Sequence, residues 1–181
     1  MTSFKDFQKG WKLVAEQTAS GNLHMGHFKA GSTHPDIGKV HYVLSMIPMT
    51  TGYSPTRWQQ GIDVMLLKSP EVYLLSKLRT IVLYEADFNH ENKRLGRDSI
   101  QKALAADMIA EEQFSRPGRS AQDNALCKRL VFDYFRLRKR PFAMCACDLK
   151  SCYERVVQTA ASLALQRVGV PLAQIRCMFS T

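Results

Sequence analysis

The sequence predicts a mixed α+β fold, and three features predict it. Two short runs rich in branched apolar residues, 62–67 and 78–83, flank a turn signal and suit an antiparallel hairpin. Helix start and stop signals recur on both sides of that hairpin. A third apolar run, 142–147, follows Pro141, which cannot continue a helix.

In chain order, residues 4–17 suit a short helix. Residues 18–35, rich in Gly, Ser, Thr and His, read as a loop, and 36–46 have weak helical spacing. Gly52-Tyr53-Ser54-Pro55 reads as a turn, with Ser54 and Pro55 as a helix start. The hairpin follows, with Lys68-Ser69-Pro70-Glu71 as its turn signal. Lys68 and Arg79 lie near its two arms. Asp87 or Asn89 is placed to cap a helix running to about 107. Ser120 with Asp123 forms a capping box for a second helix, running to about 138. The run 142–147 is then a strand ending at Asp148. Ser151 and Glu154 form another capping box, followed by a helix with Val156, Val157, Ala160, Ala161, Leu163, Ala164 and Val168 as apolar positions. Gly169 and Pro171 end it, and 172–179 forms a last helix. This order divides the chain into an N-terminal helical and loop extension (1–55), a hairpin with helices (56–141), and a strand with a helix (142–181).

Composition narrows the function classes. The chain has 181 residues, of which 45% are apolar, so it can bury a core. No apolar run is long enough to span a bilayer, and no secretory signal core opens the chain. An intracellular protein without a membrane partner is expected. The five cysteines show no paired spacing. Cys145 and Cys147 form C-x-C rather than the C-x-x-C of a zinc knuckle, and the expectation is small apolar core residues in a reducing compartment. Formal net charge is +9. Between Arg116 and Arg140 stand eight basic and two acidic residues. Such a segment attracts phosphate backbones through counterion release; the alternative is a solvated helix face.

Asp148 is the first candidate for chemistry. A carboxylate at a strand end leaves the core yet keeps a rigid base. It can hold Mg²⁺, which takes carboxylate oxygens and substrate phosphates. Two such ions can drive phosphoryl transfer. Asp148 can equally serve the N-terminus of the next helix.

The segment Cys147-Asp148-Leu149-Lys150-Ser151-Cys152-Tyr153-Glu154-Arg155-Val156 resembles the first catalytic motif of reverse transcriptases of the LINE-like, non-LTR kind. The resemblance implies that Asp148 is the catalytic, metal-binding aspartate. It implies that Leu149 offers its backbone carbonyl to the metal and that Tyr153 is the steric gate against a ribose 2′-hydroxyl. Glu154 departs from the family's usual Asp. Upstream, Glu112-Gln113-Phe114-Ser115-Arg116-Pro117-Gly118-Arg119-Ser120-Ala121-Gln122-Asp123 resembles the family's Q-x-G-F-R-x-G-R-S-x-x-D segment, one residue shorter and without the first Gly. By that likeness Gln113, Arg116 and Arg119 touch nucleic acid. Lys77-Leu78-Arg79-Thr80-Ile81-Val82-Leu83 is similar to (Y/F)-R-P-I-S-L, with Thr80 in place of Pro. It makes Arg79 a contact for the incoming triphosphate, and Lys68 resembles the lysine that joins it. A point charge and a forked guanidinium together suit a polyphosphate. The segment 18–29 is similar to the opening of the fingers in retroelement enzymes. Zinc at its His24 and His27 is disfavoured, because no cysteine or carboxylate pair lies at ligand spacing.

The resemblance implies right-hand polymerase fingers with the start of the palm, in α+β architecture. It implies RNA template, DNA primer and dNTPs as partners and two Mg²⁺ ions in the complete enzyme. Tyr-x-Asp-Asp occurs nowhere in the 181 residues. The expectation is therefore an N-terminal fragment, with one half of a metal site and no thumb, inactive alone. The alternatives are a non-catalytic basic nucleic-acid-binding module, a degenerate retroelement remnant, or a basic helical scaffold without a nucleic-acid partner.

Overall fold

The computed structural model describes residues 3–14, 24–68, 70, 74–147 and 155–181. Its elements are α1 (Phe4–Lys12), α2 (Met25–Thr33), α3 (Pro35–Thr51), β1 (Ile62–Leu67), β2 (Leu78–Leu83), α4 (Ala86–Ala105), α5 (Ala121–Leu137), α6 (Gln158–Arg167) and α7 (Leu172–Phe179). The fold is mixed α and β, as the sequence predicts. Two compact units divide it. One comprises Met1–Ser99 with Ser162–Thr181, and the other Ile100–Ala161.

In the first unit, side chains fix where the helices begin. The Ser3 hydroxyl accepts from Asp6 N–H at 3.2 Å and starts α1. The segment read as a loop from 18 contains α2 instead. The reason is a capping box built from histidines. His24 Nδ1 accepts from Gly26 N–H, and His27 Nδ1 accepts from His24 N–H, both at 3.1 Å. The sequence signal for a capping box is Ser or Thr with Glu or Gln, so this one was not legible. Helix α3 is longer than 36–46. His34 caps it, Pro35 occupies the first turn, and Gly52 ends it at φ 80°. No helix starts at Pro55. The Ser54 hydroxyl is committed to Thr181 Oγ1 at 2.7 Å, and only a turn forms, with Trp58 N–H donating to Pro55 O at 2.9 Å.

The hairpin forms as expected. β1 and β2 pair antiparallel from Ile62↔Leu83 to Leu67↔Leu78. Its turn residues 69 and 71–73 lie outside the described residues. Helix α4 begins at Ala86, so Asp87 lies inside its first turn and Asn89 deeper, and neither stands ahead of it as a cap.

Two apolar clusters and an aromatic box hold this unit. Met49, Trp58, Phe88 and Cys177 pack together with Tyr84 against them. Burial pushes the Cys177 thiol up to about 11, so it remains protonated. Leu95, Val170 and Ile175 form the second cluster, flanked by Leu165 and Met178. In the box, Trp11 stacks on His90 with centroids 4.2 Å apart and on Phe28 at 5.3 Å. Phe7 meets His41 edge-on at 5.0 Å. Aromatic pairs in these arrangements add to the stability that area burial gives.

In the second unit, Ser120 and Asp123 cap α5 as the sequence predicts. Asp123 Oδ2 accepts from Ser120 N–H at 2.7 Å. No residue of α5 is buried. Leu126, Leu130 and Leu137 are 58%, 59% and 77% exposed, so the helix carries an open apolar stripe. Phe142 stacks on Phe135 at 4.7 Å. The expected strand at 142–147 is absent, because no second strand pairs with it among the described residues. Its two cysteines are corrected too. Cys145 and Cys147 are exposed, as is Cys127, and the Sγ atoms of the C-x-C stand 3.6 Å apart. Among the described cysteines, Cys177, in the first unit, is the one that behaves as a core residue.

Helix α6 starts at Gln158, so Val156 and Val157 precede it and Val168 follows it. The capping box expected at Ser151 and Glu154 lies outside the described residues. Helix α7 matches the predicted 172–179. Among the described residues no helix is long and apolar enough to cross a membrane.

Candidate nucleotide and nucleic-acid interface

The hairpin places the two residues expected to meet a triphosphate. Side chains of directly paired residues share one face of a ribbon. Arg79 pairs with Leu66. One step beyond the strands, Lys68 N–H donates to Lys77 O at 3.4 Å, which carries the pairing on to Lys68 and Lys77. Lys68, Lys77 and Arg79 therefore stand together at the turn end, with Lys77 closing a short 3-10 helix, Leu75–Lys77. All three are exposed. Three cations on one small platform suit a polyphosphate, with Arg79 able to bind two oxygens at once. Lys77 was quoted in the sequence only as a neighbour of Arg79. The signal that could have found it is its place two residues before Arg79 and next to the hairpin turn.

The ribbon is open on both faces. Ile62, Leu66 and Ile81 are exposed on the face that carries Arg79, and Met65, Leu67 and Val82 on the other.

In the second unit, Gln113 is exposed, and its N–H donates to Ala110 O at 3.1 Å. Arg116 is half-buried, with Nη1 donating to the same carbonyl at 3.3 Å. Arg119 is exposed, and its guanidinium lies 5.9 Å from the Phe114 ring centroid. Arg116 thus braces its own loop, while Arg119 is held over an aromatic face with its donors available to an anion. Along α5, Arg129 and Arg136 both reach Asp133, at 3.0 and 3.6 Å. Lys128, Arg138, Lys139 and Arg140 are exposed around them. One carboxylate between two guanidinium groups leaves the segment strongly positive.

Asp148, Leu149 and Tyr153 lie outside the described residues, and so does any geometry for the metal expected there. Among the described residues no three His, Cys, Asp or Glu side chains gather to hold a metal ion. His24 and His27 have a role of a different kind, since their Nδ1 atoms cap α2.

Compared with known proteins, the chain matches no family model, no curated protein and no solved structure.

The sequence reading missed a buried polar network on the first three turns of α4. Asp87 is 2% exposed. It accepts from Trp58 Nε1–H at 3.0 Å and forms an ion pair with Arg57. Glu85 also meets Arg57, at 3.3 Å. One turn on, the fully buried Glu91 accepts from Arg94 at 2.8 Å and faces His90 Nδ1 at 3.3 Å. Burial alone would raise the Glu91 carboxyl. The His90 hydrogen bond and the Arg94 guanidinium outweigh burial and hold it below its ordinary value. Glu91 is therefore a carboxylate, and His90 Nδ1 carries the proton it donates. The spacing Asp87, His90, Glu91, Arg94 marks one helix face, which is the signal a helical-wheel reading would catch.

Proposed function

We propose that this chain is the fingers and the beginning of the palm of a non-LTR-type reverse transcriptase. In the complete enzyme it would take part in template-directed DNA synthesis from dNTPs on RNA by two-metal phosphoryl transfer. One observation carries the reading. The Arg79 segment, the Gly118-Arg119-Ser120 turn and the Asp148-to-Tyr153 segment occur in the family's order along one chain. The hairpin supports it by bringing the exposed Lys68 and Arg79 together at its turn end. Asp148 would hold Mg²⁺ with the Leu149 carbonyl, and Tyr153 would exclude the 2′-hydroxyl. When bound, the metal would neutralise charge on the triphosphate and activate the primer hydroxyl. Lys68 and Arg79 would orient the triphosphate, and Gln113, Arg116 and Arg119 would hold the strands. The polypeptide lacks Tyr-x-Asp-Asp, so it is expected to give no primer extension with Mg²⁺, dNTPs and an RNA template.

The second reading is a basic nucleic-acid-binding module, favoured by the exposed cations of α5 and the segment after it. One pair of titrations separates the two. Both predict single-stranded RNA binding that weakens with salt, log K falling by about 0.7 per phosphate neutralised. Replacing Arg138, Lys139 and Arg140 by glutamine should lower that slope by about 2. The polymerase reading alone predicts dNTP binding that drops about tenfold in Arg79→Ala, the worth of one charge-assisted contact. Salt-independent RNA binding defeats both readings. RNA binding without Arg79-dependent dNTP binding leaves only the module.

A further inference from the structure

In the first unit, a cleft of about 320 Å³ opens beside α1 and α4, lined by Gly10, Leu13, Val14, His90, Lys93 and Arg97. We propose that this cleft binds a nucleoside monophosphate or a ligand of the same chemistry, a phosphate head on an apolar ring body. The inference goes beyond the polymerase reading and does not depend on it.

Three observations point to that ligand. Lys93 and Arg97 stand four residues apart on α4, so they are neighbours on one helix face, and both are exposed at the cleft. A flexible ammonium and a forked guanidinium at that spacing suit a phosphate. The opposite wall is apolar. Leu13 is 71% exposed there, a large apolar side chain left in water beside two cations. Between the walls is His90, 2% exposed, whose Nε2 is buried without a hydrogen-bond partner. Nδ1 is taken by the Glu91 carboxylate, which leaves Nε2 as the ring nitrogen to be matched. An atom of this kind is costly to leave unmatched. His90 is thus the polar group between the two walls.

The backbone removes the obvious objection. The C-terminus of α1 faces the cleft, and free carbonyls there would repel an anion. Three of the carbonyls there are occupied instead. Gly10 O accepts from Leu13 N–H at 3.2 Å, Trp11 O from Val14 N–H at 3.1 Å, and Val14 O from Lys29 Nζ at 3.3 Å. Gly10 is costly inside a helix relative to alanine. Its presence has a steric cause here, since a Cβ would sit 2.8 Å from His90 Nε2. The volume falls within the range of small-ligand sites, roughly 300–1,000 Å³.

The test is titration of the isotope-labelled full chain with AMP, adenosine and inorganic phosphate, read by backbone amide shifts. AMP should bind with Kd about 1 mM or tighter and move the amides of Gly10, Leu13, Lys93 and Arg97. Adenosine and inorganic phosphate should each bind at least about tenfold more weakly, having lost one wall of contacts. Arg97→Gln, at an exposed position where misfolding is not expected, should weaken AMP about tenfold. Leu13→Ser should weaken AMP while leaving inorganic phosphate unchanged. A 5′-phosphorylated oligonucleotide that displaces AMP assigns the ligand to a strand end. One that fails to displace it assigns a free nucleotide. No shift with AMP at about 10 mM, equal binding of AMP and adenosine, or an Arg97→Gln protein with unchanged affinity would overturn the proposal.

Discussion

Glu91→Ala should destabilise the first unit by about 3–5 kcal/mol, the usual cost of removing one partner from a buried ion pair. Glu91 has no exposed surface, and its Arg94 partner is 11% exposed. Truncation takes the nearer carboxylate from the guanidinium, which also meets Asp98 at 3.3 Å, and leaves His90 Nδ1–H without its acceptor. It also opens a void beside the Trp11–His90 stack. Single domains have about 5–15 kcal/mol to lose, so the variant should be largely unfolded at moderate denaturant. Urea unfolding read by tryptophan fluorescence measures this directly, because both Trp11 and Trp58 belong to this unit. Glu91→Gln keeps an acceptor for His90 and should lose less. A loss below about 1 kcal/mol in the alanine variant, the scale of a surface pair, would show that the pair contributes no more than one on the surface.

Acid should weaken the same unit well above the range where carboxylates titrate. His41 packs against Phe7, Trp11 and Phe28, and its Nε2 has no partner. Burial lowers it from 6.5 to about 4, Asp87 and Glu91 pull it back up, and His90 and Arg57 push it further down. The native protein therefore holds His41 neutral. The unfolded chain takes up the proton first as pH falls below 6.5. Stability is fully present above 6.5 and is lost progressively down to about 4. The ceiling is about 1.4 kcal/mol per pH unit, reduced because the ring is only partly buried. Glu91 acts with the same sign lower down. Its folded value is depressed, so its contribution is present above the ordinary carboxylate value of 4.5 and lost as pH falls through the folded one. Urea midpoints at pH 7.5 and 5 should differ in the parent protein and converge in His41→Asn. An equal drop in both would assign the acid sensitivity elsewhere.

Much of the architecture was legible because local rules and tertiary packing agreed. Two β-branched runs around a turn gave the hairpin to the residue, and Ser120 with Asp123 gave the start of α5. The failures share a physical cause. Helix α2 was hidden because imidazole nitrogens do the capping that hydroxyls and carboxylates usually do. The strand at 142–147 was assigned from apolar content, yet a strand exists only through a neighbour. Ser54 was read as a cap, but its hydroxyl is claimed by Thr181, 127 residues away. Sequence spacing does not report contacts at that range. The candidate site was legible as motifs in Arg79 and Lys68, whereas Lys77 enters only through the short 3-10 turn that leads into β2. The carboxylates of α4 were invisible as a network, because the partners Arg57 and Trp58 lie in a different segment.

The open ribbon and the bare stripe of α5 also bear on how the molecule comes apart. Their apolar side chains already stand in water in the native state, so melting them uncovers little new surface. Denaturant sensitivity and the heat-capacity change both scale with newly uncovered area. These two segments therefore add length to the chain while adding little to the steepness of its unfolding. The sharp part of the transition belongs to the helices around Trp11 and Trp58, and the hairpin and α5 contribute a shallow slope on either side of it.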